Sequence, residues 1–132
     1  MMTIKTFTVL LLATVACFSN AHDAHITPLF QKNIVGLDVS QLTGQMLIVE
    51  YAPGGFSPKH RHPAHTFIYV LEGAVEMQIE GEDAVVLKAG DSFYERPEDI
   101  HLVSRNASST DPVKFLVFAV KENDTALVIP VN

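Results

Sequence analysis

From Met46 onward the chain is a succession of short apolar runs divided by turn residues. Residues 46–52 are strand-like and stop at Pro53-Gly54-Gly55, and residues 66–71 are strand-like and stop at Glu72-Gly73. Between Ala74 and Glu80, Val75, Met77 and Ile79 alternate with Glu76, Gln78 and Glu80, which is the period of a half-buried strand. Glu80-Gly81-Glu82-Asp83 turns the chain into residues 84–88, and Ala89-Gly90-Asp91 breaks it again. Residues 92–95, 100–104, 113–120 and 126–131 complete the expected strands, and no helical period persists after residue 45. Short strands at frequent Gly, Pro and Asp breaks indicate an all-β fold, a sandwich or a barrel.

The rest of the chain changes this picture at its start. Lys5 precedes an apolar run from Phe7 to Phe18, and Ser19-Asn20-Ala21 closes it with small residues. A positive start, an apolar middle and a small-residue exit form a secretory signal, and the run is too short to cross a bilayer of about 30 Å. The expected organisation is a signal peptide at 1–21, an N-terminal arm at 22–45 and a β-barrel domain at 46–132, exported to a periplasm or the extracellular space. Cys17 is the only cysteine and lies in the signal segment, so a cleaved chain carries no disulfide. Thr14-Val15-Ala16-Cys17 loosely resembles a lipoprotein box, which makes lipidation of Cys17 the alternative. With 132 residues, 48% of them hydrophobic, the chain suits one domain. A net charge of −6 and the lack of any Lys/Arg-rich run exclude nucleic acid as its main partner. Asn106-Ala-Ser108 and Asn123-Asp-Thr125 match a glycosylation signal, but ordinary loop asparagines are the expectation.

The chemistry is concentrated in Ser57–Gly73, SPKHRHPAHTFIYVLEG, where three of six histidines fall within six positions. On a strand, His60 and His62 share one face and Arg61 takes the other. Two neutral imidazoles on one face can bind a divalent transition metal. Pro63 ends or bulges the strand, so the direction of His65 does not follow from alternation. His101 opens a later strand and can return to the same place. Phe67-Ile68-Tyr69-Val70-Leu71 reads as a core strand, with Tyr69 the one residue expected to face a cavity.

These spacings resemble the cupin superfamily. Its first motif is glycine, five residues, His-x-His, three or four residues, glutamate, six residues and glycine, and Gly54, His60, His62 and Gly73 stand in place. Its second motif is glycine, five residues, Pro-x-Gly, two residues, histidine, three residues and asparagine, matched at its ends by Gly90 and His101. The resemblance covers roughly residues 44–121. Thr66 replaces the glutamate, Arg96 and Glu98 replace the proline and glycine, and Asn106 stands one residue late.

The resemblance implies a cupin double-stranded β-helix, a small barrel of two facing antiparallel sheets, and a metal held by His60, His62 and His101. His65 is either a fourth ligand or a loop histidine turned to solvent. The metal would be Fe(II), Zn, Mn, Ni or Cu. Two functions follow: a metal-dependent dioxygenase acting on a small chelating substrate, or a non-catalytic cupin that captures a metal or small ligand. With no carboxylate at the motif position the second is slightly favoured, and Glu50, Glu95 and Glu98 are the carboxylates that could take the place of one histidine. A small molecule is the expected partner, a homodimer is the default of the family, and a transmembrane segment is not expected.

Overall fold

The computed structural model describes residues 39–132. The expected signal segment with Cys17, and His22 and His25, lie outside the described residues. A short 3-10 turn at Val39–Gln41 leads into nine strands: β1 (Leu42–Tyr51), β2 (His60–Arg61), β3 (His65–Glu72), β4 (Ala74–Ile79), β5 (Val85–Lys88), β6 (Ser92–Glu95), β7 (Ile100–Asn106), β8 (Val113–Glu122) and β9 (Ile129–Pro130). Among the described residues there is no α-helix, and hence none long and apolar enough to cross a membrane.

Two antiparallel sheets face each other. One runs β1-β8-β3-β6 and the other β5-β4-β7-β2-β9. Each closes its own hydrogen bonds and no strand is shared, so the expected barrel is a pair of facing sheets with no closed ring of strands. The core fills the space between them with Ile68, Val70, Val113, Phe115 and Val117 from the first sheet and Val75, Met77 and Leu87 from the second. The alternation read at Ala74–Ile79 is reproduced, with Val75, Met77 and Ile79 buried and their neighbours partly exposed.

The outer face of the first sheet is also apolar. Met46, Phe118, Phe67 and Tyr94 form one register row across all four strands. This explains why the five-residue apolar run fails as a guide to orientation. On β3, Thr66, Ile68 and Val70 point inward, while Phe67 and Tyr69 take the outer face. Tyr69 pairs with Leu116 and Ser92 there and is not in the cavity.

Gly73 turns β3 into β4 at φ +73°, and a Cβ there would lie 2.5 Å from the Pro112 carbonyl oxygen, so no other residue fits without backbone movement. Strand bounds differ from expectation mainly at the ends. β1 begins four residues early, at Leu42, because its register with β8 continues to Glu122. The last expected strand shrinks to Ile129–Pro130, whose one partner is the two-residue β2.

Candidate metal centre

His60 and His101 are direct cross-strand partners on β2 and β7. Opposed residues of an antiparallel pair project to the same face. Their rings stack with centroids 4.9 Å apart and 22° between planes. Leu102 is the extra residue of a β-bulge, because Gln78 and Ile79 on β4 face Val103 and His101 on β7. Bulges re-aim side chains, and here His101, Ser104 and Asn106 are all buried. One added residue is also the offset by which Asn106 departs from the family spacing. Its side chain is fully used: Nδ2 donates to the carbonyls of Tyr51, Ala52 and Asp111, and Oδ1 accepts from the Ser108 amide. At 5% exposure this asparagine is a structural clamp at the end of β7 and not the loop residue expected from the sequence.

Two carbonyl groups fix the tautomers of the paired histidines. The Nδ1–H of His60 donates to the Pro58 carbonyl at 2.6 Å, and that of His62 to the Leu127 carbonyl at 2.7 Å. A carbonyl oxygen only accepts, so each Nδ1 carries the proton and each Nε2 presents a lone pair. These two Nε2 atoms lie 3.2 Å apart. Neither can donate to the other in the neutral state, so the contact is repulsive unless a cation or proton lies between them. Burial pushes the His60 imidazole below its ordinary value, outweighing the Pro58 bond, and the neighbouring His101 and His62 add to the effect against Glu95. The protonated form is thus disfavoured, and a cation shared by the two Nε2 atoms would relieve the contact.

Glu95 completes the group. It ends β6, is 1% exposed, and lies directly across from Thr66 of β3, so both project inward. Its Oε2 is 3.1 Å from His101 Nε2 and 3.7 Å from His62 Nε2. Despite the short distance to His101, neither atom of that pair has a partner in hydrogen-bonding geometry. The donor atoms of His62, Glu95 and His101 lie within 4.8 Å of one another, and His60 flanks them through its contact with His62. Ligands about 2.1 Å from one ion stand about 3.0–3.4 Å apart in octahedral or tetrahedral arrangements. The separations of 3.1 and 3.2 Å fall within this range, and the 3.7 Å between His62 and Glu95 lies a few tenths of an ångström beyond it. The donor set of imidazoles and one carboxylate suits a divalent transition metal.

His65 does not join this group. It is 4% exposed on the outer face of β3, with its Nδ1 2.6 Å from the Tyr94 hydroxyl and its ring stacked on Tyr94. It is neither a fourth member of the cluster nor a solvated loop histidine. β3 begins at His65 itself, so alternation sends His65 outward and Thr66 inward. The reading that a carboxylate is lacking also needs correction. Thr66 does occupy the expected glutamate position, but the carboxylate comes from its cross-strand neighbour. The available signal was parity on β6, since Glu95 shares the face of Phe93, which packs on the core. The adjacent aromatic Tyr94 made that parity ambiguous.

The loop before His101 keeps a glycine-like backbone without glycine. Glu98, which replaces the family glycine, has φ +71°, and Pro97 precedes it, the signature of a type II turn. The Asp99 amide donates to the Arg96 carbonyl across the turn, and Asp99 Oδ2 accepts from the Arg96 amide. The Glu98 amide donates to the His62 carbonyl and its carboxylate pairs with Arg61, tying this turn to the histidine pair.

The cluster opens on a cavity of about 250 Å³ between the sheets, otherwise walled mainly by apolar side chains such as Leu47, Val49, Ile68, Met77, Phe115 and Val117.

The family model described as Cupin domain matches residues 47–119, more than half of the chain. The chain belongs to the cupin family. That match spans β1 to β8 and includes His60, His62, Glu95 and His101. Among solved structures, the cupin is similar to the DMSP lyase DddQ from Ruegeria pomeroyi DSS-3, with 22% identity over 74% of this chain and 55% of that one and a TM-score of 0.57. The chain therefore spans about half the length of that lyase. It is also similar to a cupin-like protein from Thermotoga maritima, at 19% identity over 80% of this chain and 90% of that one, with a TM-score of 0.56. A third similar structure is an oxalate decarboxylase from Lactobacillus farciminis in a formate complex, 26% identical over 70% of this chain and 28% of that one, with a TM-score of 0.56. No curated protein sequence matches.

Proposed function

We propose that this cupin is an enzyme that holds one divalent metal through His60, His62, His101 and Glu95 and acts on a small chelating substrate. The observation that supports this most is the pair of Nε2 lone pairs facing each other at 3.2 Å beside an unpartnered, buried Glu95 oxygen. Buried polar atoms are left unmatched only at a cost of about 1–3 kcal/mol each, and a cation satisfies several at once. A metal held by these residues would supply Lewis-acid polarisation of the oxygen atoms of a bound substrate. The chain supplies the rest. The carbonyls of Pro58 and Leu127 keep two imidazoles in the binding tautomer. The apolar wall excludes water and strengthens the electrostatics inside.

Oxygen-dependent oxidation at Fe(II) is the reaction class we assign, since three imidazoles and one carboxylate suit iron. Similar structures named as a lyase and a decarboxylase support an enzymatic reading, though fold alone does not fix the reaction. We infer export from the N-terminal signal pattern. Elemental analysis of untagged protein, followed by oxygen uptake on iron-loaded material with a panel of small hydroxy and keto acids, tests the assignment. Stoichiometric metal with turnover supports it. Stoichiometric metal without oxygen uptake or product rules out the oxidase class and favours capture of a metal or ligand.

A further inference from the structure

The cavity contains a second polar group besides the cluster. Tyr51 ends β1, Ser57 lies in the loop before β2 and Ser104 is on β7; all three line the cavity. The Tyr51 hydroxyl is 2.6 Å from Ser57 Oγ and 3.1 Å from Ser104 Oγ. Their backbones are cross-tied, because the Ser57 amide donates to the Ser104 carbonyl and Asn106 Nδ2 donates to the Tyr51 carbonyl. Phe115 packs edge-on against the Tyr51 ring at 5.6 Å. The three hydroxyls are therefore held in place before any ligand arrives.

Their protons do not balance. Three hydroxyls bring three donors, and two contacts consume two. One proton is left without an acceptor among the described residues, in a cavity whose wall is otherwise mostly apolar. We propose that the Tyr51, Ser57 and Ser104 hydroxyls form a second anchoring site that donates a hydrogen bond to an acceptor oxygen of the ligand. The proposal rests on the metal reading above and narrows its substrate class. The ligand is a short acid that chelates through one end and carries a further carbonyl or carboxylate oxygen across an apolar linker. At about 250 Å³ the cavity falls below the roughly 300–1,000 Å³ of sites for drug-sized ligands, so the linker is short.

Pentanoate and 4-oxopentanoate are the probes. They share length and charge and differ by one carbonyl, so attraction to Lys59, which also lines the cavity, cancels. Titration calorimetry on zinc-loaded protein is expected to show 4-oxopentanoate binding roughly three- to tenfold tighter, the worth of one hydrogen bond. The variant Tyr51→Phe/Ser57→Ala/Ser104→Ala is expected to bring that ratio to about one, with zinc stoichiometry and pentanoate affinity unchanged. Ser57→Ala/Ser104→Ala retains the preference, because the Tyr51 proton is then free to donate. Should the triple variant fail to fold, Tyr51→Phe/Ser57→Cys/Ser104→Cys, which keeps the side-chain bulk but leaves only weak thiol donors, is expected to reduce the ratio by at least half. Equal binding of the two probes by the wild type, including binding of neither, overturns the proposal, as does a ratio that survives removal of the hydroxyls. If the wild type takes up no metal, the metal reading fails separately. The same probes are then compared by thermal shift on metal-free protein. A preference lost in the hydroxyl-free variant sustains the anchoring site, and no preference overturns it.

Discussion

His65 and His101 are both almost fully buried, at 4% and 2% exposure, yet they sit in opposite chemical settings. His65 lies on the outside of the four-stranded sheet with a tyrosine hydroxyl against its Nδ1 and a tyrosine ring against its face. His101 lies inside, with neither ring nitrogen hydrogen-bonded and a carboxylate oxygen 3.1 Å from its Nε2. Burial therefore does not distinguish a structural histidine from a candidate ligand. What distinguishes them is whether the protein satisfies the ring nitrogens itself or leaves them converging with others on one point.

The sharpest way to break this contrast is to truncate both histidines. His101→Ala is expected to weaken metal binding by more than about a hundredfold, since loss of outer-shell support alone costs 10- to 100-fold. His65→Ala is expected to retain one equivalent of metal. Competition against a chromogenic chelator measures both, and equal losses would remove the distinction.

Glu95→Gln keeps size and polarity but removes the charge. Metal affinity is expected to fall by about 10- to 100-fold in the same assay, with the far-UV spectrum unchanged. An unchanged affinity would return the site to histidines alone.

His65→Ala carries its own cost. Emptying a buried position and removing the Nδ1 contact to the Tyr94 hydroxyl is expected to destabilise the protein by about 1–3 kcal/mol in urea titrations. No change in midpoint would mean that the outer-face contact is idle.

A pH dependence separates the two settings further. The folded His60 value is depressed, so below about pH 6.5 the unfolded chain takes up a proton that the folded chain resists. Its contribution to stability is present above that pH and is lost as pH falls through the folded value. Metal-free protein is therefore expected to lose melting temperature from about pH 6.5 downward, and His60→Gln is expected to flatten that dependence. The smallest expected effect is at the turn before His101. Glu98→Gly relieves a left-handed backbone but loosens the unfolded chain and loses the Arg61 pair, so stability is expected to change by no more than about 1 kcal/mol.

The fold was readable because its determinants are local. Alternation at Val75, Met77 and Ile79, and the spacing of Gly54, His60, His62, Gly73, Gly90 and His101, led to two facing sheets and to three converging histidines. From sequence Glu95 is only one of three carboxylates, with Glu50 and Glu98, that could replace a histidine, because the choice depends on which strand pairs with Thr66, a non-local fact. The motif position and the carboxylate are separated in sequence and joined only by the β3–β6 register. His65 was ambiguous for a different reason. Whether β3 starts before or after it decides its face, and Pro63 obscures that boundary. The apolar outer face of β3 likewise made inward and outward residues look alike.

One ion among four named side chains would satisfy the converging donors. Crystals of untagged protein, measured on both sides of the absorption edge of the metal found by elemental analysis, test this directly. The account predicts a single anomalous peak about 2.0–2.2 Å from His60 Nε2, His62 Nε2, His101 Nε2 and a Glu95 carboxylate oxygen. A peak at His65 and Tyr94, or stoichiometric metal with no peak between those four residues, would contradict it.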